Sequence, residues 1–338
     1  MRKVIFAFLA IASVIGCVYG FSLITQQVEE EHVVEIPETK WLYARNGKLV
    51  TNKGREVQLK GISTHGIQWF GYLYSENTIK HLRDDLKTNV IRIAMYTDAG
   101  ANGYMANKSL KDKVYELADA AIRQDMYVII DWHILDDRNP QTNKAEALKF
   151  FAEVSEKYKD EPLVIYEICN EPNGRDVKWD TDIKPYAEEV IAAIRANSPE
   201  SLVIVGTPDY DKDFIEAGAN PLEDSNVAYA LHFYAGSHNK TLRDAADNFR
   251  QKGFTLFVSE CGATDATGAG ELHEEAFQRW VEWMNKRKIS WVYWAYANRN
   301  NTAAILKHNA EPDLSDSDVT LDHYLSPSGQ LVKRMLEL

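Results

Sequence analysis

From residue 57 to residue 336 one pattern repeats eight times: a short, almost wholly apolar run, then a longer stretch with helical spacing of apolar residues. The apolar runs are 57–63, 90–95, 127–133, 164–170, 202–207, 227–232, 255–260 and 290–295. The helical stretches are 77–87, 108–124, 143–158, 183–196, 211–217, 240–252, 272–286 and 327–336. Strands that are apolar on both faces belong in a parallel sheet covered by helices, because a sheet with one wet face alternates. Eight such units in about 300 residues fit a single closed (β/α)8 TIM barrel. The competing doubly wound sheet carries a glycine-rich first turn. Here that turn reads Gly61-Ile62-Ser63-Thr64-His65-Gly66, which lacks the spacing. The residues around Gly47 and Gly54 are predicted to form a short N-terminal β-hairpin, 48–50 with 55–57, closing the barrel floor.

The charge balance narrows the partners. Thirty-eight Lys and Arg against 50 Asp and Glu give a formal charge of −12, which argues against nucleic acid or an anionic membrane surface. The three cysteines, Cys17, Cys169 and Cys261, imply neither a disulfide framework nor a zinc site. The chain opens with Arg2-Lys3 and then runs from residue 4 to residue 24 without a charge, the pattern of an export signal. Three endings compete. Cleavage after Val18-Tyr19-Gly20 releases a secreted protein. Val14-Ile15-Gly16-Cys17 resembles a lipobox and makes Cys17 a lipidated first residue. Retention leaves a membrane anchor. The expected organisation is a leader or anchor over 1–24, an acidic tether over 25–40 and a catalytic domain over 41–338, monomeric and touching a membrane only through its N-terminal segment.

In a barrel the chemistry sits at the carboxyl ends of the strands. Those ends collect His65, Arg92, Tyr96, His133, Asn170, Glu171, His232, Tyr234, Glu260 and Trp294. Apolar strands have no structural need to finish on such a ring. Two carboxylates, Glu171 and Glu260, can flank one glycosidic bond, one protonating the departing oxygen and one attacking or activating water. Arg92 beside Glu260 would keep that carboxylate ionised and titrating low, and Tyr234 can donate to it. Glu171 would keep its proton, and Asn170 would bond a sugar hydroxyl next to the reacting carbon. Eight Trp and 17 Tyr add a surplus of aromatics of the kind that stacks on sugar faces.

Val164-Ile165-Tyr166-Glu167-Ile168-Cys169-Asn170-Glu171-Pro172-Asn173 resembles the acid/base signature of glycoside hydrolase family five, the cellulase family. The likeness extends through Ile91-Arg92-Ile93-Ala94-Met95-Tyr96, Asp131-Trp132-His133, Leu231-His232-Phe233-Tyr234, Val258-Ser259-Glu260 and Trp294, and leans toward the bacterial endoglucanases. The resemblance implies a retaining endo-β-1,4-glucanase acting on a β-1,4-glucan or cello-oligosaccharide without a cofactor or metal. Glu171 would be acid/base and Glu260 nucleophile. Arg92, His133, Asn170, His232 and Tyr234 would support them, and Trp294 would stack on the cleaved sugar, followed by a non-proline cis peptide. His65, Tyr96 and Trp69 match further sugar contacts. Arg299 matches a glycone-side cation, whereas Asn301 stands where the family commonly has a Glu. Mannan, xyloglucan and mixed-linkage glucan stay open as substrates, as does a non-catalytic glycan-binding role.

Several residues carry plainer readings. Glu167 reads as a buried carboxylate with a hydrogen-bond partner. Asp131 and His133 lack a third metal ligand at suitable spacing. Cys261 should turn away from the barrel axis by alternation. Trp41, Trp132, Trp280, Trp283 and Trp291 read as packing, while Trp69 and Trp179 could pack or stack.

Overall fold

The computed structural model describes residues 38–315 and 319–338. The leader, Cys17 and nearly all of the tether lie outside the described residues. Among the described residues eleven strands form two sheets. A small antiparallel sheet joins β1 (Tyr43–Arg45), β2 (Lys48–Val50) and β3 (Glu56–Val57). The other eight strands are β4 (Lys60–Thr64), β5 (Val90–Tyr96), β6 (Tyr127–His133), β7 (Val164–Glu167), β8 (Val203–Val205), β9 (Val227–Tyr234), β10 (Leu256–Gly262) and β11 (Trp291–Tyr296). They close into a parallel barrel in the order β10-β11-β4-β5-β6-β7-β8-β9. The eightfold alternation is therefore a (β/α)8 barrel, as the sequence predicts.

Strand parity divides the core in two. Outward residues such as Ile91, Ile93, Val128, Ile130, Trp132, Val164 and Tyr166 pack under the helices. Inward residues Val90, Ile129, Ile165, Ile204, Ala228, Ala230, Phe257 and Val292 form a separate apolar layer inside the barrel. Leu42, Leu49 and Leu59 join that inner layer, so the small sheet plugs the floor. The predicted hairpin is present, with Leu49 opposite Val57 and Val50 opposite Glu56. It has a third strand, β1, and the single predicted run 57–63 is split between β3 and β4.

Seven of the helices sit close to their predicted spans, from Glu76–Leu86 to Pro327–Leu336. Ser75 starts the first with a capping box, its side chain accepting from Thr78 N–H. The exception is the predicted helix 211–217. It shrinks to Ile215–Ala219, because Asp209, Tyr210 and Asp211 adopt left-handed φ values of 56°, 58° and 59°. Among the described residues no helix is long and apolar enough to cross a membrane.

Candidate active site

Above the apolar layer the same inward parity delivers charge. Val90 is followed two residues on by Arg92, Ile129 by Asp131, Ile165 by Glu167 and Ala230 by His232. Arg92 is completely buried. Its Nε donates to Glu167 Oε2 at 2.7 Å, and Nη2 donates to Glu167 Oε1 at 3.2 Å and to Asn170 Oδ1 at 2.6 Å. Nη2 also lies 3.0 Å from Asp131 Oδ2, and Nη1 donates to Glu260 Oε2 at 3.1 Å. One guanidinium thus contacts three carboxylates at once, a use for which its planar fork suits it. Asp131 in turn meets His133 Nδ1 at 2.6 Å. Glu167 has the partners expected of a buried carboxylate, since Ser259 Oγ also donates to it at 2.7 Å.

Glu260 reaches the axis through a bulge. Phe257 pairs with Ala230 and Glu260 with His232, so β10 takes three steps where β9 takes two. The same excess appears against β11, between Val258 and Cys261. Strict alternation from inward Phe257 would send Glu260 outward. The extra residue lets Ser259 and Glu260 both face inward, which is how bulges re-aim side chains beside functional sites. Cys261 then points out, its thiol donating to Val292 O at 3.3 Å. Tyr234 donates its phenolic proton to Glu260 Oε1 at 2.7 Å. The expectation of a low Glu260 pKa needs correction. Burial raises it and Glu171 adds to that, against the pull of His232, Arg92 and Tyr234.

Glu171 comes from the loop after β7 and has a φ of 43°, uncommon for a residue with a Cβ. Its N–H is taken by Asp211 Oδ2 at 2.9 Å, and its Oε1 lies 3.0 Å from His232 Nδ1. Burial pushes its carboxyl up to about 7, with Arg92 and Lys212 pulling the other way. Neither Arg92 nor Tyr234 donates to it, so the proton of the pair belongs on Glu171. Atoms of Glu171, His232 and Glu260 lie within 4.8 Å of one another. These three are also spaced closely enough to hold a metal ion, but a cation there would compete with the Arg92 guanidinium already on Glu260.

The two carboxylates face a cleft of about 560 Å³. Every rim residue named from the sequence lines it except Arg92 and Asn170, which lie just beneath. Asn170 is fully engaged by the protein: Oδ1 accepts from Arg92, and Nδ2 donates to Ile134 O at 2.9 Å and approaches His133 Nε2 at 3.3 Å. One wall is aromatic. Trp69 and Tyr96 meet at 4.8 Å between centroids, Tyr96 and His133 at 4.1 Å, and His133 stacks on Trp294 at 5.3 Å. The Trp294–Ala295 peptide is cis, as the family resemblance implies. Arg299 Nη1 lies 2.9 Å from His65 Nε2, and burial followed by this guanidinium lowers His65 to about 3, keeping it neutral. Asn301 also lines the cleft, its Oδ1 accepting from Ala303 N–H at 2.8 Å.

Of the tryptophans, Trp132, Trp179, Trp280 and Trp291 are fully buried, so Trp179 is core, whereas Trp69 is 44% exposed at the cleft. Sequence reasoning missed Ser259 and Asp211. Both are completely buried, and both touch His232, Ser259 Oγ at 3.0 Å and Asp211 Oδ2 at 3.4 Å from Nε2. Asp211 ends the left-handed turn, in which each residue carries a penalty of roughly 1–2 kcal/mol. A hydrophilic Asp at the head of a helix-permitting stretch gives no sign of such a place.

Known proteins carry the same architecture. The sequence profile of Cellulase (glycosyl hydrolase family 5) matches residues 50–300. Endoglucanase A of Evansella cellulosilytica is 47% identical over 283 residues, 84% of this chain and 57% of that protein. Endoglucanase N of Pectobacterium atrosepticum is 42% identical over 326 residues, 96% of this chain and 70% of that protein. The chain thus spans little more than half of the first relative and about seven-tenths of the second. Among solved structures, the catalytic domain of Thermobifida fusca endoglucanase Cel5A in complex with cellotetraose superposes with a TM-score of 0.82 at 35% identity, covering 88% of this chain and 97% of that one. With the barrel, its floor sheet and the matched span together, the chain belongs to glycosyl hydrolase family 5, the cellulase family.

Proposed function

We propose that this chain is a retaining endo-β-1,4-glucanase that cleaves internal bonds of a β-1,4-glucan. The observation that carries the reading is the carboxylate pair. Oxygens of Glu171 and Glu260 within 4.8 Å suit direct attack, since retaining enzymes hold the two groups about 5–5.5 Å apart and inverting enzymes about 6.5–9.5 Å. Glu260, gripped by Arg92 and Tyr234, attacks the anomeric carbon. Glu171 gives its proton to the departing oxygen, which breaks the glycosidic bond and leaves a glycosyl ester on Glu260. Glu171, now ionised, takes a proton from water, and the water oxygen displaces Glu260. Glu171 regains its proton and Glu260 its free carboxylate, and the two halves of the cut chain leave as products. The aromatic wall from Trp69 to Trp294 supports sugar stacking, and the relatives named endoglucanase support the polymer. A panel of soluble polysaccharides assayed by reducing ends tests this: carboxymethyl cellulose should be the best substrate, a preference for mannan would reject the glucan assignment, and a preference for xyloglucan or mixed-linkage glucan would reject cellulose as the polymer.

The charge-free run 4–24 with its lipobox-like Cys17 supports export and lipid attachment. A fatty-acid probe should label the protein in its host, and Cys17→Ser should abolish the label. An unlabelled soluble product would reject lipidation.

A further inference from the structure

The mechanism above gives no work to Asp211, yet the chain adopts an unfavourable backbone to bring it to the site. Three consecutive residues with a Cβ, Asp209, Tyr210 and Asp211, are left-handed. The turn is tied down on both sides. Tyr210 N–H donates to Pro172 O at 3.1 Å and Asp211 N–H to Thr207 O at 3.2 Å. Gly206 lets this segment press onto the loop carrying Glu171. A Cβ at Gly206 would stand 2.3 Å from Cys169 O and 2.9 Å from Asp211 Oδ1.

Every polar contact of the Asp211 carboxylate serves Glu171 or the turn itself. Oδ1 accepts from Thr207 N–H and so holds the turn. Oδ2 accepts from Glu171 N–H at 2.9 Å. That N–H belongs to a left-handed residue outside the strand ladder and would otherwise be buried without a partner, a costly state. The same Oδ2 lies 3.4 Å from His232 Nε2, and the opposite nitrogen of that ring meets Glu171 Oε1 at 3.0 Å. Ser259 completes the ring's setting. Its hydroxyl donates to Glu167, leaving its oxygen to accept from His232 Nε2. One buried carboxylate therefore holds the Glu171 main chain directly and lies against the imidazole that meets the Glu171 carboxyl.

We infer that Asp211 is a positioning residue for the acid/base Glu171: it fixes the left-handed backbone at Glu171, beside the His232 ring, so that the acid faces the departing oxygen. This rests on the proposed roles of Glu171 and Glu260.

The leaving group supplies the test. kcat/KM for aryl β-cellobiosides reports formation of the glycosyl-enzyme. A phenyl group needs protonation to leave, and a dinitrophenyl group does not. Asp211→Ala should lose about 100-fold or more on phenyl cellobioside, the lower part of what a general acid contributes, and less than about threefold on dinitrophenyl cellobioside. Asp211→Asn carries the same expectation, because its amide would turn a donor toward Thr207 N–H or Glu171 N–H. Being isosteric, it guards against a folding defect, which a melting curve would expose. Equal losses on both substrates, or no loss on either, would overturn the inference. Wild-type turnover of dinitrophenyl cellobioside checks the glycosidase reading itself, so failure there is separate from failure of the Asp211 assignment.

Discussion

The floor and the rim of the barrel use the same inward-facing positions for opposite purposes. At the floor, Val90, Ile129, Ile165 and Phe257 meet Leu42 and Leu49 in an apolar layer. Two residues further along three of those strands, the axis is occupied by Arg92, Asp131 and Glu167. The floor follows from simple alternation and can be closed by any well-packed side chains of the right volume. The rim cannot, because buried charges are costly unless each has a partner in good geometry. That geometry comes from departures from regular structure: the bulge at Ser259–Glu260 and the left-handed residues Glu171 and Asp211. The floor should therefore govern stability, and the rim should govern chemistry.

Substitutions at the two ends test that division. Glu260→Gln should reduce kcat on soluble glucan on the order of 10⁴-fold or more, with binding of cello-oligosaccharide retained in calorimetry. Near-normal turnover would remove Glu260 from the mechanism. At the floor, Leu49→Ala should destabilise the fold by about 2–5 kcal/mol by leaving a cavity. Its kcat/KM well below the melting temperature should match the unaltered protein; a large loss of activity there would mean that floor and rim are coupled. For pH, the sign follows from the acid's proton. Glu171 must be protonated to donate, and its carboxyl sits at about 7. kcat/KM should hold to about neutrality and then fall about tenfold per pH unit. On a dinitrophenyl glycoside, whose departure needs no acid, that alkaline fall should vanish; its persistence there would detach it from the Glu171 proton. The smallest effect belongs to Trp69 at the cleft edge. Trp69→Ala should raise KM for long oligosaccharides by roughly two- to tenfold, in proportion to an aromatic contact of about 0.5–1.5 kcal/mol, and leave kcat intact.

How far this could be read from the residues alone follows the same divide. Alternation and β-branched runs make the barrel legible, and Asn170-Glu171 after an apolar strand makes the proposed acid legible. Glu260 was named through its strand end and the family likeness, although parity counted from Phe257 would have faced it outward. A bulge of one residue depends on pairing with both neighbouring strands and leaves no local mark. The sequence places Asp211 at the start of a helix because its neighbours permit one. Contacts of its turn with Pro172 and Glu171, distant in sequence, decide otherwise. Strand β1 was missed because three residues show no periodicity, and it is held by pairing with β2. The low pKa expected of Glu260 failed for a related reason: Arg92 was counted, but not the burial that accompanies it.

The central claim is that Glu260 attacks carbon directly, with Glu171 close enough to serve both steps. Proton NMR of a cello-oligosaccharide digest, read before the new reducing ends mutarotate, tests it most directly. The account predicts that the β-anomer appears first and the α-anomer grows in only by mutarotation. An initial α-anomer would contradict it, because inversion requires a water molecule between carboxylates that stand within 4.8 Å of each other here.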